Sequence, residues 1–522
     1  MTAVNLPTPR VRDGDGPNPR MVKVIDQTKC IGCHACTTAC KSENDVPLGV
    51  TRTYVKSVDV GTFPQARRAF QVTRCNQCVD APCVAACPTA AMHIRPDGIV
   101  DFDKSSCIGC KACMAACPYD AIFINPEDHC AEKCNFCAHR LDVGLEPACV
   151  TVCPTGAIMV GDANDPESEV AKIINRQPVA VRRPEKATRP KLFYKGATQA
   201  TLDPLAAAAP AGDTYAWAEK PRGAHVVESG NPSPDGTNSS AAAILNYDVK
   251  HTAPWDWRVS LYTWTKGIGA GGWLVALLLL MTGQIGGDDV LWTWIAPIVS
   301  AVFLALTAVV LIADLEHPTR FIYILTRPQW RSWLVRGGII LSGFAAVLAV
   351  HVVASLFGWD WLRTAAAFPG LPLAVGTAVY TAYLFAQAKA RDLWQSPLLA
   401  PHLVVQAVLA GSAALIPFAM VWSEDAVGPL AWTVAGSAAV HLLLVGGEAT
   451  VAHPTAHAKL AAHTMTHGRY ARFFWAGVVL VALGLLAPVA VPATAWLALP
   501  ALLGLLAHEH AYVQSGQSVP LA

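Results

Sequence analysis

The chain has 522 residues, of which 53% are hydrophobic and only 15% charged, and its formal net charge is +1. An ordinary soluble domain carries roughly 25% charged residues, so this balance excludes a disordered chain, a polyanion-binding protein with a nucleic-acid partner, and a wholly soluble protein. All seventeen cysteines fall between Cys30 and Cys153, so a cysteine-rich front precedes an apolar, cysteine-free back.

After an N-terminal arm over 1–20 the cysteines fall into four groups. The first is Cys30-Ile-Gly-Cys33-His-Ala-Cys36-Thr-Thr-Ala-Cys40. The second is Cys75, Cys78, Cys83 and Cys87. The third is Cys107-Ile-Gly-Cys110-Lys-Ala-Cys113-Met-Ala-Ala-Cys117. The fourth is Cys134, Cys137, Cys149 and Cys153. Groups one and three have the C-x2-C-x2-C-x3-C spacing of bacterial ferredoxins, in which three thiolates hold one cubane and the fourth serves its neighbour. Sixteen cysteines at four per cubane predict four [4Fe–4S] clusters and leave Cys130 over, read as a free or buried thiol. Zinc would use paired C-x2-C arms. The first 29 residues hold no apolar export segment that would favour disulfides.

Between the groups the sequence predicts short strands. Residues 91–103 alternate about an Asp97-Gly98 turn, and 121–125 and 157–161 follow the prolines after Cys117 and Cys153. The repeated motif predicts a duplicated, ferredoxin-like α+β iron–sulfur domain over 21–160.

These groups resemble the four-cluster electron-transfer subunit of the molybdenum or tungsten bis-pterin oxidoreductases, the dimethyl sulfoxide reductase superfamily, over about residues 20–200. The x4 gap from Cys78 to Cys83, the x11 gap from Cys137 to Cys149, and the endings Cys87-Pro-Thr-Ala and Cys153-Pro-Thr-Gly-Ala carry the likeness. The resemblance implies cross-ligation: Cys30, Cys33 and Cys36 with Cys153; Cys134, Cys137 and Cys149 with Cys40; Cys75, Cys78 and Cys83 with Cys117; and Cys107, Cys110 and Cys113 with Cys87. Lys41 stands where the ferredoxin run has proline.

Residues 161–250 lose periodicity, as in Pro204–Pro210 and Glu228–Ser240, and are read as a partly ordered surface linker. From 251 to 522 the sequence predicts an all-α bundle of eight transmembrane helices, near 259–283, 290–314, 333–357, 366–388, 398–422, 427–449, 471–490 and 493–511. Loops after even-numbered spans hold the basic residues Arg320, Arg327, Arg331, Lys389, Arg391, Lys459, Arg469 and Arg472, whereas those after odd-numbered spans hold one basic residue, Arg363, with Asp288, Asp289, Asp360, Glu424 and Asp425. The positive-inside rule then puts both termini and the iron–sulfur domain on the cytoplasmic side of the inner membrane.

This half resembles the NrfD/polysulfide reductase family of membrane quinone subunits. The likeness rests on Gly267-Ile-Gly-Ala-Gly-Gly272, Asp314-Leu-Glu-His-Pro-Thr-Arg-Phe321, Tyr380-Thr-Ala, Leu393-Trp-Gln-Ser-Pro-Leu-Leu399 and Gly516-Gln-Ser-Val-Pro-Leu521, in that order. It implies electron exchange between the clusters and a menaquinone or ubiquinone near the membrane face, without haem. Such a site needs an apolar slot, donors at each ring oxygen and titratable groups. Tyr262 and Lys266 share a helix face, Asp314, Glu316, His317 and Arg320 form a polar patch, and Tyr380 lies in span four. Salt bridging for Asp314 and Arg320, snorkelling for Lys266, aromatic packing for the tyrosines and helix capping for His317 compete with that role. His351, His402 and His441 offer too few same-depth pairs for a haem.

The resulting expectation is an electron-transfer and membrane-anchor subunit that exchanges electrons with quinone but does not itself convert a substrate. A separate bis-pterin catalytic subunit would dock in the cytoplasm, with a higher oligomer of the complex compatible. Electron flow toward quinone from sulfite, an acyl-CoA or formate is the first expectation. A quinol-oxidising reductase of a sulfur or oxyanion substrate, or the membrane part of a proton-translocating complex, are the alternatives.

Overall fold

The computed structural model describes residues 20–61, 64–208 and 243–522; the N-terminal arm through residue 19 and the Glu228–Ser240 stretch lie outside the described residues. The chain divides into two compact units, one of Met1–Pro254 with Ala388–Ala390 and Val519–Ala522, the other of Trp255–Gln387 and Arg391–Ser518.

In the first unit the described strands are β1 (Met21–Asp26), β2 (Thr53–Val60), β3 (Arg67–Arg74), β4 (Met92–Ile94), β5 (Val100–Phe102), β6 (Ile122–Ile124), β7 (Ala131–Lys133), β8 (Ile158–Asp162), β9 (Val179–Ala180), β10 (Leu192–Lys195) and β11 (Ala243–Tyr247). Their sheets run β8-β1-β10-β9, β11-β2-β3, β4-β5 and β6-β7. The period of two sorts β1 into two working faces. Val22 and Val24 pack on Val170 and Ile173 of the helix Glu169–Arg176, each contributing about 1.5–3 kcal/mol by leaving water. Ile25, on the opposite face, packs among Cys36, Cys149, Ile158 and Tyr194. That helix starts where Ser168 caps the Ala171 amide. The predicted hairpin is β4–β5, closed by Gly98 at φ 78° with its N–H on the Arg95 carbonyl.

The linker expectation is corrected for its described parts. Residues 161–208 supply β9, β10 and the Glu169–Arg176 helix, and β11 pairs antiparallel with β2. β10 lies parallel to β1, nearly 170 residues away in sequence, with Lys23 opposite Leu192. A four-residue strand between Pro- and Gly-containing turns has too short a pattern to stand out; it is stabilised by a partner that local periodicity does not reveal.

In the second unit six helices are long and apolar enough to cross a membrane: Trp257–Met281, Leu291–Ala313, Trp333–Leu356, Asp360–Gln387, Leu399–Trp422 and Glu424–Thr450. Ala456–Thr466 and Ala471–Leu486, bent by 68°, make a seventh if counted as one. The expected count of eight is therefore six or seven by length and composition. The last helix, Ala498–Gln517, has 20 residues, but His508, Glu509, Gln514 and Gln517 are buried in it and lower its apolar character. The first and fifth helices approach at glycines: a Cβ on Gly271 would stand 1.7 Å from the Ala407 carbonyl oxygen, and one on Gly411 would stand 2.1 Å from the Gly271 backbone. Small residues at such a crossing let two backbones touch where lipid provides no hydrophobic drive.

Candidate functional site

The first unit gathers its thiols by a repeated backbone device. Gly32 and Gly109, in the two Cys-Ile-Gly-Cys runs, both sit at φ 70°, and His34 and Lys111, each just after a cysteine, take φ 57° and 61°. These left-handed turns curl the chain back on itself, which glycine does without strain. A Cβ on Gly32 would also strike the Phe70 ring at 2.3 Å.

Cys30, Cys33, Cys36 and Cys153 line one cavity. Cys87, Cys107, Cys110 and Cys113 line another. Cys40 is close enough to Cys134, Cys137 and Cys149 for their charges to act on it. Cys83 likewise feels Cys75, Cys78 and Cys117. Charge effects between quartets then run in series: Cys113 feels Cys83, Cys75 feels Cys134, and Cys36 feels Cys149. Backbone donors already face several sulfurs, at 3.4 Å from Met92 N to Cys87 Sγ and 3.2 Å from Ala157 N to Cys153 Sγ. Grouped thiols, nearby amide donors and burial of most of the sulfurs suit iron–sulfur clusters. The remaining cysteine, Cys130, is buried and its thiol donates to the Lys104 carbonyl at 3.4 Å.

Burial first, and then the charges of neighbouring thiols, push Cys40, Cys78 and Cys117 up to about 12. Cys149 departs from the pattern: burial is overridden by Arg74 and Lys23, and its pKa falls to about 7. Arg74 donates from Nη1 to Cys149 Sγ at 2.9 Å, and Lys23 Nζ lies 4.0 Å from the same sulfur. Asn44 Nδ2 reaches Cys40 Sγ at 3.7 Å and Cys137 Sγ at 3.8 Å. Lys133, fully buried, faces Cys75 and Cys83. The two inner quartets thus hold the buried cations. Sequence reasoning passed over Arg74 and Lys23, which lie in strands it did not predict; a cation among the apolar residues of β1 and β3 was the only sign.

In the second unit the structure brings Tyr262, Lys266 and Tyr380 together. All three are buried. Lys266 Nζ donates to the Ala378 carbonyl at 2.9 Å and to Thr381 Oγ1 at 2.7 Å, and stands 4.9 Å from the centre of the Tyr380 ring. The Tyr262 hydroxyl is buried beside Tyr380 and Thr381. Asp314 is buried at the end of the second span helix, 3.8 Å from Arg258. Glu316, His317 and Arg320 follow on a half-buried turn and a short 3-10 helix. Glu509, on the last helix, is a missed member: it is buried, bonds Thr263, and acts electrostatically on Lys266. An acid inside an apolar span was the signal that should have found it. His402 and His441 bond each other directly, Nε2 to Nδ1 at 2.9 Å, and His351 is held between Trp273 Nε1 and the Trp292 carbonyl.

Thiol quartets in one unit and apolar spanning helices in the other define an iron–sulfur electron-transfer protein with a multi-pass membrane domain. Residues 247–519 match the family model described as polysulphide reductase, NrfD, and residues 22–88 and 67–163 match models described as 4Fe-4S dicluster domains. The chain belongs to the NrfD family, with the dicluster domains fused in front. The front is similar to a tetrathionate reductase subunit of Salmonella typhimurium, 41% identical over 202 residues covering 37% of this chain and 79% of that protein. It is also similar to a polysulfide reductase chain of Wolinella succinogenes, 44% identical over 173 residues, covering 33% and 91%. A third relative is the arsenate respiratory reductase iron–sulfur subunit of a Shewanella species, 36% identical over 223 residues, covering 34% and 95%.

Proposed function

We propose that the chain is the electron-transfer and membrane-anchor subunit of a respiratory oxidoreductase, joining a separate molybdenum or tungsten bis-pterin catalytic subunit to membrane quinone. The series of four thiol quartets in a chain that also carries a multi-pass membrane domain is the observation that carries this reading. The proposed ligand sets are Cys107, Cys110, Cys113 and Cys87; then Cys75, Cys78, Cys83 and Cys117; then Cys134, Cys137, Cys149 and Cys40; then Cys30, Cys33, Cys36 and Cys153, in two ferredoxin-like halves. When bound, the clusters would supply one-electron carriers along that series. In this reading the last helix completes eight spans, and the basic even-numbered loops support a cytoplasmic iron–sulfur unit.

Quinone chemistry also needs protons, and the bundle offers them at buried atoms. Lys266 has two of its donors held by Ala378 and Thr381, which orients the third toward a ring oxygen. Tyr262 donates to the same ring. Glu509, which acts electrostatically on Lys266, relays the proton, and Asp314 and Glu316, with His317 and Arg320, connect the site to water. Tyr380 lies beneath the Lys266 ammonium and keeps it on station.

Flow toward quinone is the reading the cytoplasmic orientation favours, with sulfite, an acyl-CoA or formate as the oxidised substrate. The relatives bear names of tetrathionate, polysulfide and arsenate reductases, and this favours a second reading in which quinol is oxidised and a sulfur or oxyanion substrate reduced. Adding a short-chain menaquinol to the oxidised full chain in nanodiscs tests the shared core. Bleaching of the iron–sulfur absorbance in wild type but not in Lys266→Met supports the site; equal bleaching in both refutes it.

A further inference from the structure

A cavity in the membrane unit is lined by none of the residues assigned to the quinone or the clusters above. It has a volume of about 340 Å³ and is walled by Leu399, Leu443 and Leu444 together with His402, Glu448 and Tyr512. That volume falls within the roughly 300–1,000 Å³ of small-molecule sites, and so does the pairing of apolar walls with a few convergent polar groups.

The polar groups define what fits. Among the lining residues there is no lysine or arginine, so no permanent cation meets a phosphate headgroup or a fatty-acid carboxylate, although Gln395, Ser396 and His453 also line the wall. Glu448 makes no hydrogen bond or ion pair with any described residue, and its carboxyl lies in the cavity wall. The other lining acid, Asp392, accepts from Thr455 at 2.7 Å. Tyr512 spends its proton on the Leu393 carbonyl at 3.1 Å and leaves its oxygen as an acceptor. His402 has one ring nitrogen on His441 at 2.9 Å, and His508 completes a buried trio whose nitrogens lie within 4.8 Å of one another. A carboxyl, an imidazole and a phenol beside leucine walls suit a neutral ring with carbonyl or hydroxyl oxygens and an apolar tail.

We propose that this cavity is a second binding site for a quinone-class ring, held by Glu448 and His402. It is separate from the Lys266 group. His508 and Tyr512, four residues apart, share one face of the last helix, whereas Glu509 points about a quarter turn away toward Lys266. The ligand class rests on the reading of the chain as quinone-reactive; the location of the site does not.

The test is photolabelling of the full, cluster-loaded chain in nanodiscs with a short-tailed azidoquinone, read by peptide mass spectrometry. Wild type is expected to label two regions, residues 443–451 and the helices bearing Lys266 and Tyr380. His402→Phe with Glu448→Leu should cut the first labelling at least tenfold and spare the second, and Lys266→Met should do the converse. Leu444→Trp fills the cavity from its apolar wall and should mimic the first variant with both polar groups intact. Unchanged iron content and melting temperature certify each fold. Labelling of 443–451 that survives both cavity variants, or is displaced by a neutral lipid but not by unlabelled quinone, overturns the second site. Labelling of the Lys266 region alone does so too. Absence of label everywhere overturns the quinone reading itself along with this proposal.

Discussion

Replacing Arg74 by glutamine should lower the midpoint potential of one cluster and leave the other three in place. The guanidinium is fully buried and lies 2.9 Å from Cys149 Sγ; if Cys149 holds the proposed cluster with Cys40, Cys134 and Cys137, that charge would stand on the order of 6 Å from its centre. At an effective dielectric constant of about 20, a unit charge at that distance is worth about 3 kcal/mol. A cation favours the reduced, more negative state. Two tenfold steps at 59 mV each for one electron therefore predict a fall of about 120 mV. Electron paramagnetic resonance during potentiometric titration of the full chain reads the midpoint. Arg74→Lys, which keeps the charge, should recover most of the shift. Iron content must stay at wild-type level, which separates tuning from loss of the cluster. A shift below about 20 mV with iron intact, or an equal shift in all four signals, would refute the electrostatic reasoning.

Lys266→Met should slow quinone turnover by about 10²–10⁴-fold, the range expected for loss of a positioned proton donor, while dye-linked activity of the catalytic partner stays unchanged. Gly271→Ala should destabilise the bundle by about 1–3 kcal/mol, because the new methyl would stand 1.7 Å from the Ala407 carbonyl oxygen; thermal unfolding in detergent checks this. His251 is ion-paired to Asp120 at 2.5 Å and Asp248 at 3.1 Å. Burial lowers its pKa, but the two carboxylates prevail and raise it to about 10. A folded-state pKa above the unfolded value of about 6.5 gives stability that is complete below pH 6.5 and lost as pH rises through 10. His251→Gln should accordingly lower the melting temperature at pH 6, with the gap to wild type closing near pH 10. Anaerobically purified protein should carry sixteen iron atoms per chain if sixteen of its seventeen cysteines are ligands.

Metal chemistry and membrane insertion were legible from the residues because both are written in local patterns. Thiol spacing within Cys30–Cys40 and Cys107–Cys117 is a property of a few consecutive residues, and the left-handed turns at Gly32 and Gly109 execute it without help from distant chain. Long apolar runs need no partner to declare themselves, since the bilayer acts on each span separately. The Tyr262–Lys266 pairing was visible too, because four residues make about one helical turn.

What required the tertiary structure was everything set by a partner far along the chain. β10 became a strand because β1 offered it an edge, although the two are separated by most of the iron–sulfur unit. Arg74 tells nothing of its role until Cys149 is brought to 2.9 Å from it. Glu509 carried a local signal, an acid in an apolar helix, but its partner Lys266 is set only when the last helix meets the first. Local sequence specifies which groups can do chemistry; long-range packing selects which of them meet, because the charge and hydrogen-bond terms that define a site fall away within a few ångströms, and only the folded chain sets those distances.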